Sequence, residues 1–124
     1  ILAPEVVTVQ ADPVALEQVI HNLLMNALQA LEQVNIGTRF IEIVVSAQDG
    51  RGVLTVTDNG SGIPAEALSH LFEPFFSTRE GGLGLGLNLC ETLTHAMGGT
   101  LTGANAAGRG AVFALSLPLR QSSA

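Results

Sequence analysis

The stretch Asp58-Asn59-Gly60-Ser61-Gly62-Ile63-Pro64 follows a run in which Leu54 and Val56 alternate with Thr55 and Thr57. That alternation is the period of a strand, and it puts Asp58 on the same face as Leu54 and Val56, the face a layer of helices should cover. A carboxylate there is partly buried and requires donors, because burying an unpartnered charge is costly. The exocyclic amine of adenine is a donor of suitable shape. Gly60 and Gly62, lacking Cβ, would let a flat ring approach the backbone, which makes the stretch a candidate floor for a nucleotide pocket. The same residues also read as an Asp-Asn-Gly turn between strands, and the stretch alone leaves both readings open.

Upstream, residues 40–47 form a predicted strand with Ile41, Ile43 and Val45 on one face. Asp49-Gly50-Arg51-Gly52 reads as a hairpin turn into residues 53–57, so the two strands are expected to be antiparallel neighbours. Residues 6–9 are a short β-branched run, read as an edge strand. Asp12-Pro13 supplies an N-cap followed by proline at the first helical position. Leu16, Val19, Ile20, Leu23, Leu24, Ala27, Leu28 and Leu31 then recur at helical spacing, predicting an amphipathic helix over 13–33. Asn22 and Asn26 stand one turn apart at the border of this stripe. Two asparagines there read equally as site residues or as solvated or helix-pairing amides.

Downstream, a short helical piece is expected from Pro64 through Leu71, followed by Leu71-Phe72-Glu73-Pro74-Phe75-Phe76, an aromatic cluster that must be anchored in a core. Residues 77–86 are polar and then glycine-dense, and composition predicts a loop with neither helix nor central strand. Leu89, Cys90, Leu93 and Met97 mark a second amphipathic helix ending at Gly98-Gly99, with Cys90 on its apolar stripe. A glycine loop running into a helix N-terminus offers unpaired amides to an anion such as phosphate, although the spacing matches neither a P-loop nor a dinucleotide fingerprint. Residues 100–105 and 111–117 read as a closing pair of strands, and 119–124 as a frayed tail.

The chain has 124 residues, nearly half of them apolar, enough for one domain with a single core. Its net charge is −6, it has no lysine, and its arginines (Arg39, Arg51, Arg79, Arg109, Arg120) are scattered, so neither a nucleic-acid surface nor a polybasic membrane patch is expected. No run approaches the length of a membrane span, and no basic region followed by an apolar run marks a signal peptide within this sequence. The lone cysteine excludes an internal disulfide. The chain opens on Ile1 without a methionine and reads as a piece of a longer protein.

In combination these motifs resemble the ATP-binding catalytic domain of sensor histidine kinases, within the wider group that includes Hsp90, DNA gyrase and MutL. His-Asn22-Leu-Leu-Met-Asn26-Ala resembles the family's N box, Asp58-Asn-Gly-Ser-Gly-Ile-Pro its G1 box, and Phe72-Glu-Pro-Phe-Phe its F box. Gly82-Leu-Gly-Leu-Gly-Leu87 resembles the G2 box, and Gly98-Gly99-Thr100-Leu101 a further glycine box. The match spans nearly the whole chain. It implies an α/β two-layer sandwich, a mixed, largely antiparallel sheet with helices on one face.

The resemblance also implies roles. Asp58 would hold the adenine amine, with Gly60, Gly62, Ile63, Phe72 and Phe76 around the nucleotide. Asn26 would coordinate Mg²⁺ through its amide oxygen and Asn22 would lie by the phosphates. Gly82, Leu83, Gly84, Leu85, Gly86 and Leu87 would cradle the phosphate tail as part of an ATP lid spanning 77–86. Arg79, the basic residue nearest that loop in sequence, would neutralise phosphate charge. The expected function is to bind Mg²⁺-ATP and donate its γ-phosphate to a histidine on a separate phosphoacceptor and dimerisation domain of the same kinase, with a response regulator downstream and a cytoplasmic location. His21, His70 and His95 are followed by Asn, Leu and Ala, unlike the family's acceptor histidine, which an acidic residue usually follows.

Some positions depart from the family pattern. Hydrolysing relatives carry a glutamate base where Asn22 stands, and an amide is a poor base, which favours a kinase over an ATP hydrolase of the Hsp90 or MutL kind. Gln29 replaces a frequent basic residue, and Asn-Ala-Leu-Gln-Ala-Leu is similar to the nitrogen-regulation and dicarboxylate-sensing subgroup. Ala111 replaces a frequent threonine near the base. With these, a non-catalytic module that binds nucleotide or a response regulator stays a rival reading.

Overall fold

The computed structural model describes residues 7–73 and 83–120, with 83–85 described by their backbone alone. Helix α1, Pro13–Ala30, starts where the sequence places it: Asp12 Oδ1 accepts the Val14 amide at 3.0 Å, and Pro13 occupies the first turn, where no donor is needed. It buries Val19, Leu23 and Ala27. The predicted continuation to residue 33 is a separate 3-10 turn, Leu31–Gln33, that buries Leu31. Leu28 of the expected stripe is half exposed, because the covered face of the helix is narrower than the apolar pattern.

Strands β1 (Ile41–Gln48) and β2 (Arg51–Asp58) form the expected hairpin. Its two-residue turn has Asp49 at φ 51° and Gly50 at φ 77°, the doubly positive geometry that suits the twist of paired strands. Helix α2 spans Leu83–Ala96, and strands β3 (Thr100–Asn105) and β4 (Ala111–Pro118) close the chain. The sheet order is β1-β2-β4-β3, and every pairing among the described residues is antiparallel. The parallel pairing that a mixed sheet implies is not among them.

Alternation fixes the buried face of the sheet. Val56 pairs with Phe113, Leu54 with Leu115 and Gly52 with Leu117, and Leu101 lies beyond Leu115 on β3. These side chains meet Val19, Leu23 and Ala27 of α1 and Leu87 and Cys90 of α2 in one core, so both long helices lie on one face of the sheet. A fully buried side chain of this kind is worth about 1.5–3 kcal/mol relative to leaving it exposed.

Three expectations are corrected. Residues 7–9 form no strand: Val9 makes an isolated bridge to Leu119, and Thr8 O accepts the Arg120 amide at 2.8 Å. Those bonds also make Leu119 and Arg120 part of the fold instead of a frayed tail. The 77–86 loop does not extend to Gly86, since α2 begins at Leu83 and takes Gly84 and Gly86 into its first turns. The cost of helical glycine, about 1 kcal/mol each, is offset by burying Leu87 and Cys90. Ile43 and Val45 share the helix-side face, as expected, yet both stay about half exposed because β1 is the outer strand.

The end of α2 brings the chain back to the sheet through Gly98, at φ 79°. Gly98 N donates to His95 O and Gly99 N to Thr94 O, both at 3.0 Å, the paired bonds of a Schellman cap.

Candidate nucleotide site

Asp58 ends β2 and is only 3 % exposed. Its Oδ1 accepts the Gly60 amide at 2.8 Å and the Ala111 amide at 3.4 Å. Backbone donors thus meet part of the requirement that burial imposes on the carboxylate. Both bonds from described residues fall on Oδ1, which leaves Oδ2 for a donor. The Ala111 contact comes from β4, so the departure from threonine at that position leaves its backbone role intact.

The loop after Asp58 is held from several directions. Asn59 Oδ1 accepts the Phe40 amide at 3.0 Å, and its Nδ2 donates to Thr38 O at 2.7 Å. Arg109 Nε donates to Gly60 O at 3.1 Å. Asn105 clamps Ile63 from both sides, with Oδ1 accepting the Ile63 amide at 2.6 Å and Nδ2 donating to Ile63 O at 3.0 Å. Sequence reasoning missed Asn105 and Arg109. Both lie more than forty positions from their partners, and only the β3–β4 hairpin brings them to the loop.

The glycines of this loop have identifiable causes. A side chain on Gly60 would run into the Ala30 carbonyl at the end of α1, so its missing Cβ admits the helix. Gly62 has φ 83°, and a Cβ there would lie 2.9 Å from Asn105 Oδ1. On the facing hairpin Gly110, at φ 96°, crosses the Asp58 carbonyl with no room for a side chain.

Helices α1 and α2 bring the two asparagines and the second glycine motif together. Asn22 Oδ1 accepts Gln18 Nε2 at 3.0 Å, and Gly86 faces the Asn22 amide with no side chain between them. The fully buried Cys90 thiol donates to Val19 O at 3.8 Å. Burial pushes that thiol above its ordinary pKa, and a hydrogen bond with Asn22 offsets part of the rise. Asn26 Nδ2 is buried with no hydrogen-bond partner among the described residues. An amide left this way calls for a ligand, and a half-turn about its last torsion exchanges nitrogen for oxygen. The chemistry of this position fits one hard-oxygen bond to Mg²⁺. Among the described residues no group of three His, Cys, Asp or Glu side chains could hold a metal by itself. A single amide with phosphate oxygens and waters is the arrangement Mg²⁺ usually takes.

Of the other predicted residues, Leu87 is buried in the core and Phe72 packs against it. Asn88 Nδ2 donates to Phe72 O at 2.9 Å, tying the aromatic segment to α2. Leu83, Gly84 and Leu85 are helical in backbone. Phe76, Arg79 and Gly82 lie outside the described residues, as does most of the 77–86 segment. His21 and His95 are exposed, and His70 Nδ1 lies 2.6 Å from Glu73 Oε2 at the surface.

Residues 11–121 match the family described as histidine kinase-, DNA gyrase B-, and HSP90-like ATPase. The chain belongs to that family. It is 42 % identical over 112 residues to the sensor histidine kinase ZraS of Escherichia coli O157:H7, covering 90 % of this chain and 23 % of that protein. To the C4-dicarboxylate transport sensor protein DctB of Pseudomonas aeruginosa it is 46 % identical over 112 residues, 88 % of this chain and 18 % of that one. The catalytic domain of histidine kinase ThkA in a nucleotide-free form superposes with a TM-score of 0.77 at 32 % identity, covering 89 % of this chain and 70 % of that one. Full-length ShkA in complex with AMPPNP gives 0.77 at 32 % identity over 96 % of this chain and 24 % of that one. The chain therefore spans about a quarter or less of the curated sensor kinases cited here. This ATPase-type domain keeps its family's α/β fold, and Asn22, Asn26 and Asp58 occupy it as described above.

Proposed function

We propose that this domain binds Mg²⁺-ATP and donates the γ-phosphate to a histidine on the phosphoacceptor and dimerisation domain of its parent sensor kinase, which then serves a response regulator from the cytoplasmic side. The observation that carries this reading is Asp58, a buried carboxylate with one oxygen bonded to backbone and the other open to a donor such as the adenine amine. The relatives named as sensor kinases support the same assignment.

Phosphoryl transfer asks a protein mainly for positioning and charge stabilisation. Asp58 and the clamped 59–63 loop would orient the base. The first turn of α2, with Gly84, would present backbone amides and the positive helix end to the phosphates, and Gly86, lacking a side chain, would leave room beside Asn22. Asn26 would supply an amide oxygen to Mg²⁺, which when bound neutralises phosphate charge. Asn22, hydrogen-bonded to Gln18 and an amide rather than a carboxylate, holds no base for activating water, which favours transfer over hydrolysis. Arg79 would add positive charge to the phosphates.

Calorimetric titration with ATP and Mg²⁺, followed by incubation with the parent kinase's own acceptor domain and labelled ATP, tests the reading. The expected result is saturable binding, weakened by about 1.5–3 kcal/mol in Asp58→Ala, the range for a hydrogen bond to a charged group. Label should appear on the acceptor domain and not on this chain. An unchanged affinity in Asp58→Ala, steady ATP turnover by the domain alone, or label on His21, His70 or His95 would each reject it.

A further inference from the structure

Asn105 is the last residue of β3 and is exposed, so core packing does not place its side chain. Its amide nevertheless makes two bonds to one residue, accepting the Ile63 amide at 2.6 Å and donating to the Ile63 carbonyl at 3.0 Å. A side-chain amide carries an acceptor and a donor, as a peptide group does, and this pair repeats what a neighbouring strand would offer. Its orientation is unambiguous, because the Ile63 N–H can only donate and its carbonyl only accept.

Leu101, Gly103 and Asn105 share one face of β3. Leu101 lies in the core, Gly103 lacks the Cβ that would sit 2.9 Å from Leu71 Cδ1, and Asn105 holds Ile63. One strand face thus receives both ends of the 63–71 segment. Beyond Asn105, the Ala106 amide donates to Gly110 O at 2.9 Å and closes the hairpin. Three residues of this hairpin reach the end of β2 and the loop after it: the Ala111 amide bonds Asp58 Oδ1, Arg109 bonds Gly60 O, and Asn105 bonds Ile63. Between the last two ties, the Ser61 and Gly62 amides donate to nothing among the described residues.

We propose, resting on the nucleotide reading above, that Asn105 is a positioning residue for the base: it holds Ile63 so that the loop's own amides stay off Asp58 Oδ2 and leave that oxygen to the ligand. A buried carboxylate oxygen attracts any donor within reach, and the loop carries three, the amides of Ser61, Gly62 and Ile63. Asn105 occupies the Ile63 amide and, by fixing that end of the loop, limits the swing of Ser61 and Gly62. Gly62, at φ 83°, would otherwise turn readily, since glycine takes either sign of φ at little cost. Released, the loop would compete with the adenine amine for Oδ2. The effect falls on the base end of the nucleotide, and the contact of Asn22 with Gly86 proposed to lie by the phosphates stays as it is.

The test is calorimetric titration of the 124-residue chain with adenosine, ADP, ATP and inorganic tripolyphosphate, each with Mg²⁺. Asn105→Ala should weaken adenosine, ADP and ATP by the same factor, about tenfold, and leave tripolyphosphate as in the wild type. Without ligand, an amide proton of Ser61, Gly62 or Ile63 should shift downfield in the NMR spectrum of the variant as it bonds to Asp58, a change that mere loss of stability does not produce. Circular dichroism establishes folding. If Asn105→Ala does not fold, Asn105→Asp decides, since it keeps the acceptor for the Ile63 amide but sets a carboxylate against the Ile63 carbonyl, and it should show the same pattern with a smaller factor. A folded variant that binds adenosine as tightly as the wild type, or one whose loss is confined to the phosphate-bearing probes, overturns the positioning role while leaving the nucleotide reading in place. A wild-type chain that binds neither adenosine nor ATP overturns both.

Discussion

Gly86 and Asn22 face each other across the contact of α1 with α2, such that a Cβ on Gly86 would lie 3.7 Å from Asn22 Nδ2. That distance is ordinary packing, so alanine fits at Gly86 without displacing either helix. It would nonetheless put a methyl group beside the amide proposed to lie by the phosphates. Gly86→Ala is therefore expected to keep or raise the melting temperature, because alanine is the better helix former by about 1 kcal/mol. ATP affinity should fall about tenfold or more, read by calorimetry. A variant that loses stability and affinity together would make Gly86 a packing residue only.

Asn26 bears on the metal. Its amide is buried with an unsatisfied nitrogen, so removing it leaves less uncompensated polarity in the protein alone. Asn26→Ala should fold with little loss of stability and weaken ATP binding much more with Mg²⁺ than without it. Equal losses with and without Mg²⁺ in paired titrations would assign the residue a structural role.

Gly110 and Gly108 share one hairpin and separate backbone freedom from close approach. Both have positive φ, 96° and 88°, but only Gly110 crosses the Asp58 carbonyl, whereas Gly108 has open space around it. Gly108→Ala should cost about 1 kcal/mol from backbone strain. Gly110→Ala should cost distinctly more, about 2 kcal/mol or above, since the hairpin must also move off Asp58. Urea unfolding of the two variants gives the comparison, and equal losses would remove the contact from the account.

Cys90 gives a pH dependence whose sign follows from its burial. Its thiol is held above its ordinary value by burial, so the folded state favours the neutral form. Below that ordinary value the contribution is fully present. As pH rises beyond it, the unfolded chain ionises first and stability is lost until the folded thiol titrates too. Urea midpoints should drop between neutral pH and about pH 10 more in the wild type than in Cys90→Ala, and parallel drops would exclude the thiol as the cause.

Local chemistry in the sequence is sufficient for much of this molecule. Asp12-Pro13 starts α1, Asp49-Gly50 closes the first hairpin, and Gly98-Gly99 caps α2, because each motif satisfies or bends backbone within a few residues. Period-two alternation placed Asp58 on the covered face for the same local reason, and its 3 % exposure agrees. The order of the boxes identified the family.

Interactions between distant segments needed the tertiary structure. Composition made Gly84 and Gly86 a loop, but packing of Leu87 and Cys90 against α1 extended the helix through them. Asn105 and Arg109 became supports of the 59–63 loop only when β3 and β4 folded beside it, since nothing in a hairpin's sequence states what its end will touch. Alternation likewise predicted which face Ile43 and Val45 share, while their half-exposure followed from strand order, a property of the whole sheet. Periodicity in a chain specifies directions; which neighbour lies in that direction is decided by the packing of the other elements.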